Sequence, residues 1–253
     1  MKEPYKTKIM EWIESILPLI ILALVWSFSG NGSTTTLMPS FGDVIHTFFS
    51  SLANGSLLLA LGISIRRVLI GYVLSSLIGI ALGIIIGLSR HMQRLTNLII
   101  QILRPIPPIA WIPLVILWMG IGEQSKVFLI FLGGFFTVLI NVTDGIRYTD
   151  KKLTEVAAVM ETPKQKYITQ LVIPAAMPSI FTGLRVALGS CWTCVVAAEL
   201  VASTSGIGYM ISNARNFGQM DVVIVGMLAI GIVGKIMDSI LNLISEHALS
   251  WSK

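Results

Sequence analysis

The chain has 253 residues, of which 54% are hydrophobic and only 12% are charged, and its mean hydropathy is +0.81. A soluble domain of this size carries about twice that charged fraction, so the composition excludes an ordinary soluble enzyme and favours a protein that folds in a lipid bilayer. In such a protein the net charge of +5 reports membrane topology and does not indicate binding to nucleic acid.

Six apolar stretches are long enough to cross about 30 Å of hydrocarbon as α-helices. They lie at residues 12–29, 63–88, 98–119, 127–146, 179–202 and 222–244. The sequence therefore predicts an all-α fold, a polytopic transmembrane helix bundle of about six spans. Between the first two spans lies a polar outer segment, and its last part, from Ser56 to Ile63, is either an interfacial helix or an early start of the second span.

The basic residues predict the orientation of this bundle. If the N-terminus is cytoplasmic, the cytoplasmic segments contain most of the Lys and Arg residues, whereas the outer segments contain only Lys126 and Arg215 beyond the ends of the spans. The positive-inside rule then favours an N-in, C-in topology. No small-x-small cleavage pattern follows Phe28, so the first span is expected to remain as an anchor. We expect residues 1–60 to form this anchor and the outer segment, and residues 61–248 to form the transmembrane domain.

The second span contains a ridge of small residues. Every fourth position along one helix face is glycine or serine, and such a face lets another helix backbone approach closely. The members of the ridge are Gly71, Ser75, Gly79, Gly83 and Gly87. We interpret the ridge as a packing surface.

The third span contains four prolines within nine residues, Pro105, Pro107, Pro108 and Pro113. Each proline removes a backbone donor and its ring clashes with the preceding turn, so a regular helix cannot continue through this segment. Broken backbone inside a membrane is tolerated only where protein or a water-filled cavity covers it. The segment is therefore expected to border a pathway or a helix interface; the alternative is a kinked helix that only packs.

Two ionisable residues, Arg185 and Glu199, lie in the fifth span. They are separated by about 21 Å at the helical rise, so they cannot pair with each other and each needs another partner. Glu199 is either a structural hydrogen-bond anchor or a pathway residue. Arg185, like Arg104 in the third span, would suit an anion, although arginines in spans also serve as structural ties.

The long polar loop between the fourth and fifth spans predicts a helical hairpin. Its first helix is expected from Lys151 to Met160, and Thr162 and Pro163 have the composition of an N-cap and first position of a second helix. Pro174 is expected to end that second helix near Ile173. A hairpin with so defined a turn favours a docking site over a solvated connector.

This hairpin gives the chain a resemblance to a known family. The stretch from Glu155 to Glu161, Glu-Val-Ala-Ala-Val-Met-Glu, is followed by Ile173-Pro174 and resembles the EAA loop of the inner-membrane permeases of ABC importers. Three further stretches resemble the nitrate/taurine/alkanesulfonate permease branch. They are Leu103–Leu114, Gly120–Glu123 and Ala197–Tyr209, and the resemblance extends from about Leu61 to Ala248.

The resemblance implies the type I ABC importer permease fold and a permease subunit of the bacterial inner (cell) membrane. The expected partners are a cytoplasmic ABC ATPase dimer, a second copy of the chain and an extracytoplasmic substrate-binding protein. The subunit itself is then not an enzyme and holds no cofactor, because the partner ATPase uses ATP and Mg. No metal is expected, because the three histidines are isolated. The expected substrate is a small anion such as a sulfonate, taurine or nitrate.

The resemblance also implies roles for individual residues. The expected coupling residues, which would contact the ATPase, are Glu155, Ala157, Ala158, Glu161, Thr162 and Pro163. The expected translocation-pathway residues are Arg104, Pro107, Trp111 and Glu199. The hairpin departs from the family pattern in having Val156 in place of alanine and Glu161 in place of the glycine at the turn.

Two other classes of function remain as alternatives. A secondary transporter or channel that works without ATP would have no reason to present the hairpin at 151–173. A membrane enzyme lacks a catalytic constellation in this sequence: Cys191 and Cys194 have redox spacing but lie in a span, and the histidines are isolated. The stretch Ala229–Ile236 lacks the residues of a phosphate-binding loop, which favours a permease with a separate ATPase.

Overall fold

The computed structural model describes residues 39–250 together with residues 17, 18, 21 and 25–27. The first expected span, at 12–29, therefore lies largely outside the described residues. Within this part of the chain the regular elements are α1 Phe41–Ala53, α2 Ser56–Leu88, α3 Arg90–Leu103, a 3-10 helix Pro108–Trp111, α4 Ile112–Met119, α5 Glu123–Arg147, α6 Lys151–Val159, α7 Lys164–Lys166, a π-helical segment Tyr167–Val172, α8 Ile173–Ala202, α9 Ile207–Asn216 and α10 Met220–Ala248.

All regular secondary structure between residues 39 and 250 is helical, as expected of an all-α membrane bundle. Four helices in the described part of the chain are long and apolar enough to cross a membrane: α2, α5, the continuous helix Lys164–Val201, and α10. The pair formed by α3 and Pro108–Met119 passes the same test only if the two pieces count as one span. The bundle therefore has four or five spans in this region, where five were expected.

Helix α1 lies in the segment where only a polar connection was expected. Its start is fixed by a capping box, in which the Ser40 side chain accepts a hydrogen bond from the Asp43 backbone and the Asp43 carboxylate accepts one from the Ser40 backbone, each at 3.2 Å. Thr47 then donates a 2.6 Å hydrogen bond to Asp221 of α10. The stretch Ser56 to Ile63 forms the start of α2, which confirms the interpretation that the second span begins early. Helix α2 therefore crosses the expected domain boundary at residue 60.

The small-residue ridge of α2 is a packing surface, as the sequence predicts. A Cβ atom added at Gly79, Gly83 or Gly87 would lie 2.7–2.9 Å from a side chain of α5, closer than real Cβ atoms come to their neighbours. Even a methyl side chain at these positions would push the two helices apart, so the ridge sets the separation of α2 and α5. On its other side α5 packs equally closely against α8, where Gly145 meets Ser179 and Gly183 meets Asn141.

The proline-rich segment breaks the third expected span. Helix α3 begins at Arg90 and ends at Leu103, and the next helical piece, Pro108–Met119, is turned by 87° from it. The expectation that no regular helix continues through the four prolines is confirmed. The expected single span at 98–119 is replaced by two pieces, because the backbone donors that proline lacks cannot complete the helical turns.

The expected helix end before Pro174 was wrong. The chain stays helical from Lys164 to Val201, and Pro174 lies in the first turn of α8. The widened turn between Tyr167 and Val172 explains this: there the Ile173 N–H bonds to the carbonyl of Ile168, five residues earlier. A π-helical turn of this kind makes room for a proline that would otherwise clash with the preceding turn.

Candidate functional site

Two neighbouring cavities lie between the broken helix pair and α5, and Arg104 borders both. The first, which we call the Trp111 cavity, has a volume of about 310 Å³. The second, which we call the Asp144 cavity, has a volume of about 520 Å³ and reaches Arg147 at the end of α5 next to the hairpin. A continuous route between the two cavities would therefore pass Arg104 and Ile140, which line both of them.

The walls of the two cavities differ in polarity. The Trp111 cavity combines apolar side chains such as Phe136 and Val186 with the polar side chains of Thr137 and Asn141. Asn141 is held by a 2.8 Å hydrogen bond from its Nδ2 to the Thr137 carbonyl. The Asp144 cavity is lined mainly by polar and charged side chains: Gln93, Thr96, Asn97, Gln101, Arg104, Thr143, Asp144 and Arg147. One face of α3 supplies the first four of these, and Arg104 follows its last residue.

The Arg104 side chain has no hydrogen-bond or ion-pair partner among residues 39–250, and it is exposed in the single chain. Arg185 and Arg67 behave differently. Arg185 donates to both carboxylate oxygens of Asp238, at 2.7 and 2.9 Å, and to Asn242 at 2.8 Å. Arg67 is buried and paired with two carboxylates. Arg104 thus borders both cavities with a guanidinium that contacts no carboxylate among residues 39–250.

Glu199 lies in a buried cluster at the end of α8, away from these cavities. Only 1% of the residue is exposed. Its carboxylate accepts a 2.7 Å hydrogen bond from Arg67, 2.8 Å bonds from the Ser64 hydroxyl and a 2.9 Å bond from the Gly208 backbone. All these partners come from α2 and from the start of α9, so Glu199 joins α8 to both.

The same cluster fixes the loop between α8 and α9. Arg67 donates to the Ser205 carbonyl at 2.7 Å and to the Ser205 hydroxyl at 2.9 Å, and its Nε donates to Glu123 at 2.8 Å. Glu123 is the first residue of α5, so one guanidinium binds groups of α5, α8 and the loop. Gly206 in this loop has a φ of +104° and lies directly against the Glu199 carboxylate.

The structure brings together part of the expected pathway set. Arg104 and Trp111 line the same cavity, and Pro107 lines an adjacent apolar cavity of about 260 Å³ with Cys194. Glu199 lies apart from them in the buried cluster. Sequence reasoning missed Arg67 as its partner. The available signal is the pair Arg66-Arg67 near the start of the second expected span.

The hairpin between α5 and α8 consists of α6, a tight turn and α7. The turn is a Schellman motif: the Thr162 N–H bonds to the Ala157 carbonyl at 3.0 Å and the Glu161 N–H to the Ala158 carbonyl at 3.1 Å. Glu161 has a φ of +48°, and among the described residues it is the only one other than glycine with a positive φ. The second helix is capped at Pro163, one residue later than expected.

The expected coupling residues differ in exposure. Glu155, Ala158, Glu161 and Pro163 are exposed and Thr162 is half-buried, whereas Ala157 is only 7% exposed. The Ala157 side chain is therefore largely covered by the chain itself, unlike the other expected coupling residues. The hairpin instead presents three large apolar side chains that the sequence analysis did not select: Val156, Val159 and Met160 are 56%, 84% and 73% exposed.

The chain is similar in sequence to proteins of a known family. The family model described as "Binding-protein-dependent transport system inner membrane component" matches residues 79–248. The chain is 39% identical over 242 residues to the putative aliphatic sulfonates transport permease protein of Bacillus subtilis, covering 95% of this chain and 88% of that protein. It is 34% identical to the nitrate import permease protein of Synechocystis over 237 residues, 89% of this chain and 85% of the other.

The fold also matches a solved structure. An inward-facing structure of the MetNI methionine ABC transporter superimposes with a TM-score of 0.67, covering 76% of this chain and 95% of that chain, at 16% sequence identity. At that identity the likeness concerns the fold alone, which is that of a type I ABC importer permease.

Proposed function

This chain belongs to the family of binding-protein-dependent transport system inner membrane components, in the nitrate/sulfonate permease branch of ABC importers, and we propose that it conducts a small anion past Arg104. It is a multi-pass membrane protein. In the proposed transporter two copies of the chain enclose the path, two cytoplasmic ATPase subunits bind their hairpins, and an extracytoplasmic protein delivers the substrate. ATP is hydrolysed by the partner subunits.

The observation that carries the proposed path is the unpartnered Arg104 between two cavities. A charge inside a membrane protein is costly unless it is paired or faces water, and intramembrane ionisable groups therefore mark solute pathways. Arg67 and Arg185 have carboxylate partners, whereas Arg104 has none among residues 39–250. The polar Asp144 cavity connects this charge with the end of α5 next to the hairpin.

The proposed substrate class follows from the chemistry of the Trp111 cavity. A guanidinium binds oxyanions through paired N–H donors, and Asn141 and Thr137 add neutral polar groups beside it. Phe136 and Val186 offer an apolar wall that suits a short organic tail. The printed names of the relatives, an aliphatic sulfonates permease and a nitrate permease, both refer to anions.

The path is tested by replacing the arginine. We expect Arg104→Gln to lower ATP-driven uptake by about tenfold or more, because a hydrogen bond to a charged group contributes about 1.5–3 kcal/mol. Uptake of a radiolabelled alkanesulfonate and of nitrate is measured in proteoliposomes that contain the permease, its ATPase and the binding protein. Arg94→Gln is the matched control, since Arg94 is exposed on the same helix and lines neither cavity.

Three outcomes would count against the proposal. Undiminished uptake by the Arg104→Gln variant would remove this residue from the path. Equal uptake with and without ATP would favour the secondary transporter. A purified complex that contains one permease copy per pair of ATPase subunits would contradict the proposed homodimer. The homodimer is supported by helix α3, which has no buried residue in the single chain.

Docking of the ATPase is supported by the exposed side chains of the hairpin. Val159 and Met160 lie beyond the spans, at the turn, where large apolar side chains are normally covered by another protein. Glu155 and Ala158 are exposed on the same short helix. We therefore place Val159 and Met160 with Glu155, Ala158 and Glu161 in the proposed docking surface, and Ala157 beneath it.

Replacing Glu161 with glycine is expected to stabilise the hairpin by about 1 kcal/mol, because glycine adopts a positive φ without the Cβ clash. We expect Glu161→Gly to retain the ATPase during affinity purification and to preserve ATP-driven uptake. Val159→Asp is the contrasting variant and is expected to lose the ATPase. A large loss of uptake in Glu161→Gly would mean that the glutamate itself contacts the ATPase.

A further inference from the structure

A separate cavity of about 250 Å³ lies between α2, the start of α5 and the loop after α8. It is distinct from the two cavities at Arg104, with which it shares no residue. Its polar wall is formed by Arg66, Arg67, Glu123 and Ser205, and its apolar wall includes Ile70 and Val127. A cavity with one polar and one apolar wall fits an amphipathic ligand.

The charges around this cavity leave one cation unbalanced. Arg67 binds Glu199 and Glu123, and Glu123 also accepts a 3.1 Å hydrogen bond from Lys126. Both carboxylates are thus occupied by other donors. Arg66 is exposed and its side chain has no hydrogen-bond or ion-pair partner among residues 39–250. The free guanidinium would pair well with an anionic group that has two adjacent oxygens.

The position of Arg66 along α2 relates it to the membrane surface. Its neighbour Arg67 pairs with Glu123, the first residue of α5, whose side chain is 63% exposed. This pair therefore lies at the end of a spanning helix, where lipid headgroups meet the protein. Arginine side chains at that level reach toward headgroup phosphates.

An exposed apolar strip begins at Arg66 and follows α2 toward the bilayer centre. Ile70, Val73 and Leu77 are 42%, 49% and 63% exposed. They follow Arg66 by four, seven and eleven positions, so all four side chains lie on one helix face. The strip offers acyl chains a surface that starts directly below the free guanidinium.

We propose that Arg66 and the cavity beside it bind the phosphate of an anionic phospholipid in the leaflet opposite the hairpin, with the lipid's acyl chains along the strip of α2. The guanidinium holds the phosphodiester oxygens, Ser205 lies within the same cavity, and Ile70 is the first side chain below the headgroup. A net-anionic lipid is favoured over a zwitterionic one, because the headgroup of a zwitterionic lipid would bring its own cation close to Arg66.

The site is tested by native mass spectrometry of the purified chain in detergent, titrated with phosphatidylglycerol and, separately, with phosphatidylcholine. We expect one phosphatidylglycerol per chain to be retained, and Arg66→Gln to lower its apparent affinity about tenfold, as loss of a charge-assisted hydrogen bond predicts. Arg66→Lys should restore part of the affinity. Arg215→Gln is the matched control, because it removes one exposed cation from α9 that has no side-chain partner among residues 39–250.

Competition with inorganic phosphate distinguishes a site for a lipid headgroup from a site for a free anion. Retention of phosphatidylglycerol in millimolar phosphate supports the lipid site, whereas displacement of the lipid by phosphate would mean that the cavity binds a free anion. Equal affinity in Arg66→Gln and in the parent chain, or equal retention of phosphatidylcholine, would overturn the proposal. So would a change of oligomeric mass in Arg66→Gln, since a second copy would then cover this face.

Discussion

The variant Arg67→Met is expected to lose about 3–5 kcal/mol of folding stability, the cost of breaking a buried ion pair by removing one partner. Arg67 is 2% exposed and Glu199 is 1% exposed, so the carboxylate left behind cannot be rehydrated without opening the bundle. The loss includes the hydrogen bonds that Arg67 donates to Ser205. At this magnitude little folded protein is expected to accumulate in the membrane.

Thermal unfolding of the detergent-solubilised protein, followed by size-exclusion chromatography, measures this effect. Arg66→Met, compared after removal of lipid, is the matched control: the neighbouring arginine is exposed and unpartnered within the described chain, so without bound lipid its loss should leave the midpoint nearly unchanged. The double variant Arg67→Met, Glu199→Leu should recover part of the stability, because it leaves no unpaired buried charge. Equal midpoints for Arg67→Met and Arg66→Met would show that the cluster contributes nothing to the fold.

The second large effect is expected for Gly206→Ala, at about 2–5 kcal/mol of destabilisation. Two costs add at this position. The backbone has a φ of +104°, which residues with a Cβ rarely adopt, and the new methyl group would overlap both carboxylate oxygens of Glu199. The loop would have to move away, which would break the Gly208 hydrogen bond to the same carboxylate.

Gly218→Ala separates the two costs of Gly206→Ala. Gly218 also has a positive φ, +71°, but nothing lies within 4 Å of the position that its Cβ would take. Its substitution therefore reports the backbone cost alone, about 1–2 kcal/mol. Both variants are compared by thermal unfolding in the same detergent, and a Gly206→Ala midpoint no lower than that of Gly218→Ala would contradict the close packing on Glu199.

These two predictions depend on contacts that the sequence does not contain. Arg67 and Glu199 are separated by 132 positions, and their pairing is decided by how α2 and α8 cross. The sequence analysis could say only that Glu199 needed a partner. It left Glu199 open between an anchor and a pathway residue, and its burial beside Arg67, Ser64 and Gly208 supports the anchor.

Local signals were interpreted with unequal success. The prolines after Leu103 correctly predicted a break in the helix, because the missing donor is a property of the residue itself. The same reasoning failed at Pro174, since a widened turn upstream accommodates the ring. Helix α1 was missed although Ser40 and Asp43 form a capping box that could have indicated its start.

By itself the sequence determined the membrane location, the helical class, the central spans, the ridge of α2 and the hairpin that resembles the EAA loop. The first four of these depend on composition or on periodicity along a single helix, which short stretches of sequence encode. The hairpin was identified by its resemblance to a family motif. Only the tertiary structure decided that Arg67 and Arg185 are paired with carboxylates while Arg104 has no partner among residues 39–250, because these three residues look alike in the sequence. The carboxylates that neutralise two of them come from distant helices, and charge pairing in a membrane depends on those positions in space.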